Sequence, residues 1–210
     1  MKGITFGDYH TWNDFGLVVN SREISAPKPK THYVDIEGAN GSLDFTEAFG
    51  DIKYDRRTLK YKVTSLVPRK EFWTKFTEIQ NALHGRELRI TDDEDPDYYY
   101  IGRVTIDKWS IDKVIGSFTI TVDAEPFKYH LYETVRTVSF TAGSVLVFPN
   151  DRMSVNPLIT VSVPVTFDFN GVTYTINNST EDLLFLEGNN VLTIQQGEGS
   201  MTVSYLEGAL

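Results

Sequence analysis

Short runs of alternating apolar and polar residues, separated by segments containing glycine and asparagine, recur along most of this chain. In the run Thr58–Thr64 every second residue is apolar, and the residues between them are lysines and threonines. A period of two is typical of an antiparallel strand that is buried on one face only. Similar runs are Val34–Ile36, Phe118–Ala124, Phe167–Phe169, Val172–Ile176 and Met201–Tyr205. The sequence therefore predicts a mainly β protein.

One segment has the period of a helix instead. Its apolar residues recur at positions i, i+4, i+7 and i+11, which places them in one stripe; they are Phe72, Phe76, Ile79 and Leu83. Proline is tolerated in the first turn of a helix, and glycine commonly ends one, so Pro68 and Gly85 mark the two limits. We expect one helix, Pro68–His84, packed on a sheet. The fold class is α+β, mainly β with one helix in the first domain.

Charge is distributed unevenly along the chain. Residues 1–130 contain 18 basic and 21 acidic residues, whereas residues 131–210 contain 2 basic and 8 acidic ones. So sharp a change indicates two domains, 1–130 and 131–210. The second is expected to be a small β-sandwich, because Asn170-Gly171 between alternating runs is a strong hairpin signal. A second hairpin is predicted between Leu184–Leu186 and Val191–Ile194.

The densest acidic run, Asp92–Asp97, lies between the strand-like segments Glu87–Thr91 and Tyr98–Ile106. It is therefore expected to form a hairpin loop. Calcium requires several oxygen ligands that converge on one point, but Pro96 interrupts this run and the glycine of an EF-hand loop is missing. A calcium loop and a solvated hairpin tip both stay open, and the composition favours the tip.

The residue types exclude several kinds of chemistry. The chain has no cysteine, and none of its four histidines has a second histidine or a carboxylate at the spacing of a helical metal motif. No Gly-x-Ser-x-Gly elbow and no phosphate-binding loop is present. The sequence thus predicts no catalytic residue, no metal site and no cofactor, and a protein that is not an enzyme.

Net charge and hydropathy limit the partners. The formal net charge of −9 argues against a protein that binds nucleic-acid phosphates. No apolar run approaches the roughly 18–20 residues that span a membrane, so membrane insertion is not expected.

Three consecutive tyrosines, Tyr98, Tyr99 and Tyr100, are candidate interface residues. Tyrosine is enriched at protein interfaces because it contributes a large contact area at a low cost in conformational entropy. The alternative is that successive tyrosines of one strand divide between the core and the surface.

The opening segment Phe6–Leu17 resembles the start of the distal tail proteins of siphophages, which have long, flexible, non-contractile tails. The block Val34–Glu47, continuing to Leu59, and the segment from Asp93 to Val104 resemble the same family in the same order. The resemblance covers about residues 1–128. Trp12 and Phe15, in the opening segment, join the three tyrosines as interface candidates.

The resemblance implies a structural virion protein, assembled in the host cytoplasm and located at the tail tip. It implies a homo-hexameric hub ring, single or as two rings back to back, between the tail tube protein and a tail-associated fibre or lytic protein. Receptor-binding proteins would attach to the hub, and DNA would pass through without being bound. The first domain would form the ring, and the second would be a galectin-like or carbohydrate-module-like sandwich.

Two other functions stay open from the sequence. The second domain is a candidate carbohydrate-binding module for host surface glycans, which requires an aromatic ring on a loop or concave face. Its tyrosines are Tyr132, Tyr174 and Tyr205. A glycan hydrolase would need two carboxylates across a cleft, and no motif points to such a pair.

Overall fold

The computed structural model describes residues 2–48, 50–112 and 115–210. The chain divides into two compact units, Met1–Lys128 and Tyr129–Ala209. Strands dominate both, and the described residues contain one helix, which confirms the predicted fold class. No helix in the described ranges is both long enough and apolar enough to cross a membrane.

The first unit is built on an antiparallel sheet. Its strands are β1 (Ile4–Phe6), β2 (Tyr9–His10), β3 (Leu17–Ile24), β6 (Arg57–Ser65), β7 (Glu87–Asp92), β8 (Asp95–Asp112) and β9 (Ile115–Ala124), in the order β2-β1-β7-β8-β9-β6-β3. In β6 the exposure alternates residue by residue, with Leu59, Tyr61 and Val63 fully buried, as the sequence pattern predicts. One face of this sheet therefore carries the core of the unit.

The helix α1 (Arg69–Leu83) packs on β8 and β9 through the predicted apolar stripe, whose four members are all buried. Pro68 precedes it with extended backbone angles, and His84 follows it. The imidazole of His84 does not cap the helix carbonyls. Its Nδ1 accepts a hydrogen bond from the backbone N–H of Ile106, 3.0 Å away, and so ties the helix end to β8.

A two-stranded ribbon lies outside the sheet order of the first unit. Hydrogen bonds from Lys30 N–H to the Lys53 carbonyl (2.7 Å) and from Asp55 N–H to the Lys28 carbonyl (2.8 Å) form its base. Its outer part is the hairpin of β4 (Tyr33–Asp35) and β5 (Ser42–Asp44), in which every residue is exposed. We call residues 25–56 the arm.

The second unit is a β-sandwich of two four-stranded sheets that share one core. The orders are β11-β18-β13-β16 and β12-β17-β14-β15. The strands are β11 (Thr134–Phe140), β12 (Val145–Asn150), β13 (Leu158–Val161), β14 (Val165–Phe169), β15 (Val172–Ile176), β16 (Ser179–Thr180), β17 (Gly188–Gln196) and β18 (Gly199–Tyr205). The short strands β10 (Lys128–His130) and β19 (Gly208–Ala209) pair with each other.

The two predicted hairpins of the sandwich have different outcomes. Asn170 and Gly171 both have positive φ and join β14 to β15, as the dipeptide predicts. The hairpin predicted between Leu184–Leu186 and Val191–Ile194 does not form. The second of these segments belongs to β17, which already pairs with β12 on one edge and with β14 on the other. The Asn190 side chain bonds both the N–H and the carbonyl of Leu186 instead, at 2.9 Å each.

Candidate functional site

The structure places the three consecutive tyrosines near the start of β8, each with a cationic group over its ring. Lys128 Nζ lies 4.0 Å from the ring centroid of Tyr98, and Arg89 Cζ lies 3.7 Å from that of Tyr99. Tyr100 is buried, with Arg57 Cζ at 5.3 Å, and burial raises the pKa of its hydroxyl. Tyr100 therefore belongs to the core, whereas Tyr98 and Tyr99 are both half-buried, so their exposure does not follow a strict strand alternation.

The two candidates from the opening segment also differ in exposure. Phe15 is buried in the core and stacks on Tyr9 with a centroid distance of 5.4 Å. Lys75 Nζ lies 5.4 Å from the Phe15 ring centroid and bonds the carbonyl of Asp14 at 2.9 Å, which fixes this turn against the helix. Trp12 is half-buried. A contact surface in this region can thus use Trp12 directly, whereas Phe15 supports it from below.

The acidic run does not form the loop expected from the sequence. Strands β7 and β8 pair as far as Asp92 and Asp95, so the turn consists of Asp93 and Glu94 alone. Four successive carboxylates each contact a different basic side chain: Arg22–Asp92 at 2.7 Å, His10–Asp93 at 3.1 Å, Lys2–Glu94 at 2.8 Å and Lys128–Asp95 at 2.7 Å. The carboxylates diverge onto separate partners, whereas a calcium site needs them to converge. This acidic turn joins four distant segments of the first unit.

Hydrogen bonds at the acidic turn favour the ionised form of its carboxyls. Partial burial by itself raises the pKa of Asp93. The hydrogen bonds from Gly3 N–H (2.8 Å) and with His10 outweigh that effect, so the pKa lies below its usual value. The hydrogen bond from Lys2 likewise lowers the pKa of Glu94. Asp93 and Glu94 are therefore ionised at neutral pH and accept hydrogen bonds from Gly3 N–H and Lys2 Nζ.

The arm carries a cluster of exposed apolar side chains. Five large apolar side chains on or beside its hairpin are at least one-third exposed: Tyr33, Val34, Ile36, Leu43 and Phe45. An isolated two-stranded hairpin is marginally stable in water, and a cluster of exposed apolar side chains is typical of an interaction site. The alternation of Val34 and Ile36 predicts a strand but does not indicate that both faces of this hairpin are exposed.

In the second unit the structure brings together three residues that sequence analysis did not connect. One ligand atom from each of His130, Asp151 and Glu207 lies within 4.8 Å of the other two. These residues are at least 21 positions apart in three separate segments, and not at the spacing of a helical metal motif. No local sequence pattern marks such a group.

No protein-family model matches the sequence. No curated protein matches it either. Among solved structures, the fold is similar to the crystal structure of SPP1 Dit (gp 19.1), described as a paradigm of the hub adsorption apparatus in phages that infect Gram-positive bacteria. The TM-score is 0.72 with 13% identical residues, over 98% of this chain and 99% of that chain. The resemblance to siphophage distal tail proteins is thus confirmed at the level of the fold.

Proposed function

We propose that this chain is a distal tail protein, a structural component of a siphophage tail tip that forms a hub ring and catalyses no reaction. The observation that supports the proposal most strongly is the likeness to SPP1 Dit along almost the whole of both chains. A likeness of this extent includes the sheet and helix of the first unit together with the sandwich of the second.

In this proposal six copies close into a ring, alone or as two rings back to back, through the first domain (residues 1–130). The ring joins the tail tube protein to a tail-associated fibre or lytic protein and carries the receptor-binding proteins. The second domain, residues 131–210, lies outside the ring-forming contacts. The chain is assembled in the host cytoplasm and acts at the virion tail tip.

The arm supports a ring built by contacts between copies. A ring with cyclic symmetry needs a head-to-tail interface, in which one surface of each subunit meets a different surface of the next. The hairpin β4–β5 is exposed on both faces and carries apolar side chains that a neighbouring copy would bury. We expect Trp12, Tyr98 and Tyr99, which are only partly exposed in the single chain, to contribute to the same set of contacts.

The mass of the assembly in solution tests the proposal. Light scattering coupled to size-exclusion chromatography should give about six or twelve times the chain mass of 23.9 kDa. Leu43→Asp places a charge on the arm, where Leu43 is 50% exposed, and should yield folded monomers. Leu184→Asp, at a position of the second unit that is 46% exposed, is the matched control and should leave the ring intact. A monomeric parent chain would contradict the proposal.

A ring that conducts DNA should not bind it. The net charge of −9 on each chain supports a channel that repels the phosphates of DNA. Charges of one sign that are confined in a channel act at longer range than charges on an open surface. Fluorescence anisotropy with duplex DNA at low salt should show no binding. Affinity that falls steeply with added salt would indicate phosphate contacts and contradict the conduit.

Glycan binding by the second domain is the alternative function, and one observation favours it. Tyr205 is buried and Tyr174 packs against the core, but Tyr132 lies on the bend after β10 and is 78% exposed. An exposed ring on a loop can stack on a sugar face. If this function is correct, a glycan array should detect binding by the parent chain and none by Tyr132→Ala.

A further inference from the structure

The group His130, Asp151 and Glu207 has the donor set of a metal site. His130 ends β10, Asp151 follows β12 directly, and Glu207 precedes β19, so the three residues come from three separate segments of the second unit. His130 Nε2 lies 2.9 Å from Asp151 Oδ2, and all three side chains are half-buried. The described residues contain no other group of three with this convergence.

Hydrogen bonds hold the Glu207 carboxylate and the backbone of His130 in place independently of any ion. The N–H of His130 donates to the carbonyl of Glu207 at 3.0 Å, and the N–H of Asp151 donates to Glu207 Oε2 at 3.1 Å. The hydroxyl of Thr134 donates to the other carboxylate oxygen of Glu207. A site that is held in this way loses little conformational entropy when it binds a ligand.

The charges of the group are not balanced by its own members. Two carboxylates face one imidazole. A divalent cation between the three side chains would supply the missing positive charge.

We propose that His130, Asp151 and Glu207 bind one divalent transition-metal ion, of which Zn²⁺ fits the donors best. Zinc accepts imidazole nitrogen and carboxylate oxygen at about 2.0–2.2 Å, so neighbouring ligand atoms lie about 3.4 Å apart around it. The present separations, from 2.9 Å to at most 4.8 Å, reach that value by small side-chain rotations. Calcium and magnesium take oxygen ligands, and the imidazole therefore selects against them.

The ion would act structurally. It would replace the His130–Asp151 hydrogen bond with metal bonds from the neutral imidazole and from the two carboxylates. It would thereby connect β10 and the segment before β19 to the end of β12. Three protein ligands leave a fourth position for water or for a side chain of a partner protein. Because an ion that binds only the folded state stabilises it, zinc should raise the unfolding temperature of this unit.

The test is a titration of the full, untagged chain with ZnCl₂ after treatment with a chelator, since a histidine tag would itself bind zinc. Calorimetry should show one zinc per chain, and the melting temperature should rise by about 3 °C or more at saturating zinc. Calcium and magnesium chloride at the same concentration should produce neither effect. Absence of zinc binding to the parent chain would overturn the proposal.

Three variants locate the site. His130→Gln and Glu207→Gln should each weaken zinc binding at least about tenfold. His32→Gln replaces an exposed histidine of the arm, which belongs to the other unit, and should leave binding unchanged. Melting curves without zinc identify any variant that fails to fold, and Asp151→Asn then serves in its place. One-to-one binding that persists in His130→Gln would place the zinc elsewhere and overturn the proposal.

Discussion

Replacing Phe76 with alanine should destabilise the first unit strongly. The ring of Phe76 is 4% exposed and lies 5.5 Å from the Trp109 ring of β8 and 5.4 Å from the Phe118 ring of β9, so it connects the helix to the sheet. Truncation of a buried phenylalanine costs about 3–5 kcal/mol, because the lost burial and the remaining cavity add. The free energy of unfolding of a domain is only about 5–15 kcal/mol. The variant should therefore keep only part of its stability.

Tryptophan fluorescence during urea unfolding can measure this loss in the first unit alone, because all three tryptophans, Trp12, Trp73 and Trp109, belong to it. With an m-value of about 2 kcal/mol per molar urea, a loss of 4 kcal/mol lowers the midpoint by about 2 M. Parent and variant must be compared at the same protein concentration, because assembly adds stability that depends on concentration.

Thr74→Ala is the control, because Thr74 is exposed on the same helix and its replacement should change the free energy of unfolding by less than about 0.5 kcal/mol. A midpoint for Phe76→Ala within about 0.3 M of the parent value would refute the reasoning. The stripe would then be an assembly surface and not the contact that holds the helix on the sheet.

Three further changes test other contacts of the first unit. A Cβ at Gly116 would lie 2.0 Å from Phe72 Cε2, so Gly116→Ala should cost about 1–3 kcal/mol, measured by urea unfolding. Arg22→Ala removes the cation from Asp92, which is 7% exposed, and should cost about 3 kcal/mol in the same assay. Asp93→Asn should lower the urea midpoint at pH 7. Because folding lowers the pKa of Asp93, its contribution is complete above about pH 4 and is lost as the pH falls through the folded-state pKa.

Each of these changes has a control or a contradicting result. For Gly116→Ala, replacing Phe72 with leucine as well should recover part of the loss in free energy of unfolding. If the losses of the two single variants simply add in the double variant, the clash is contradicted. For Arg22→Ala the control is Lys62→Ala, whose partner Glu23 is exposed and whose loss should stay below about 1 kcal/mol. For Asp93→Asn, a difference from the parent chain that does not shrink as the pH falls below about 4 would contradict the assignment to the ionised carboxyl.

The sequence predicted those parts of the fold that depend on periodicity or on local turn chemistry. The alternation around Tyr61 and the stripe through Phe76 each follow from burial of one face, which must repeat with the period of the element. The turn at Asn170 and Gly171 follows from the backbone angles that these two residues accept. The helix limits agree to within one residue because proline and glycine lie at its two ends.

The errors concern partners that are distant in the sequence. The acidic run was expected to be a loop, but basic residues from four other segments pair with it, and no local pattern indicates which segments these are. The Leu184–Leu186 segment has the composition of a strand, but both edges of β17 were already occupied. Strand pairing depends on topology, and topology is a property of the whole domain.

The low sequence identity with SPP1 Dit means that the shared fold supports inferences from shape but not inferences from particular side chains. Two chains with 13% identity and a TM-score of 0.72 reach the same architecture with largely different side chains, because a core needs apolar residues of suitable volume and pattern and not particular residues. A ring function that depends on shape can therefore be proposed from the fold. The proposed metal site depends on three individual side chains, His130, Asp151 and Glu207. It therefore does not follow from the shared fold and has to be tested on this chain itself.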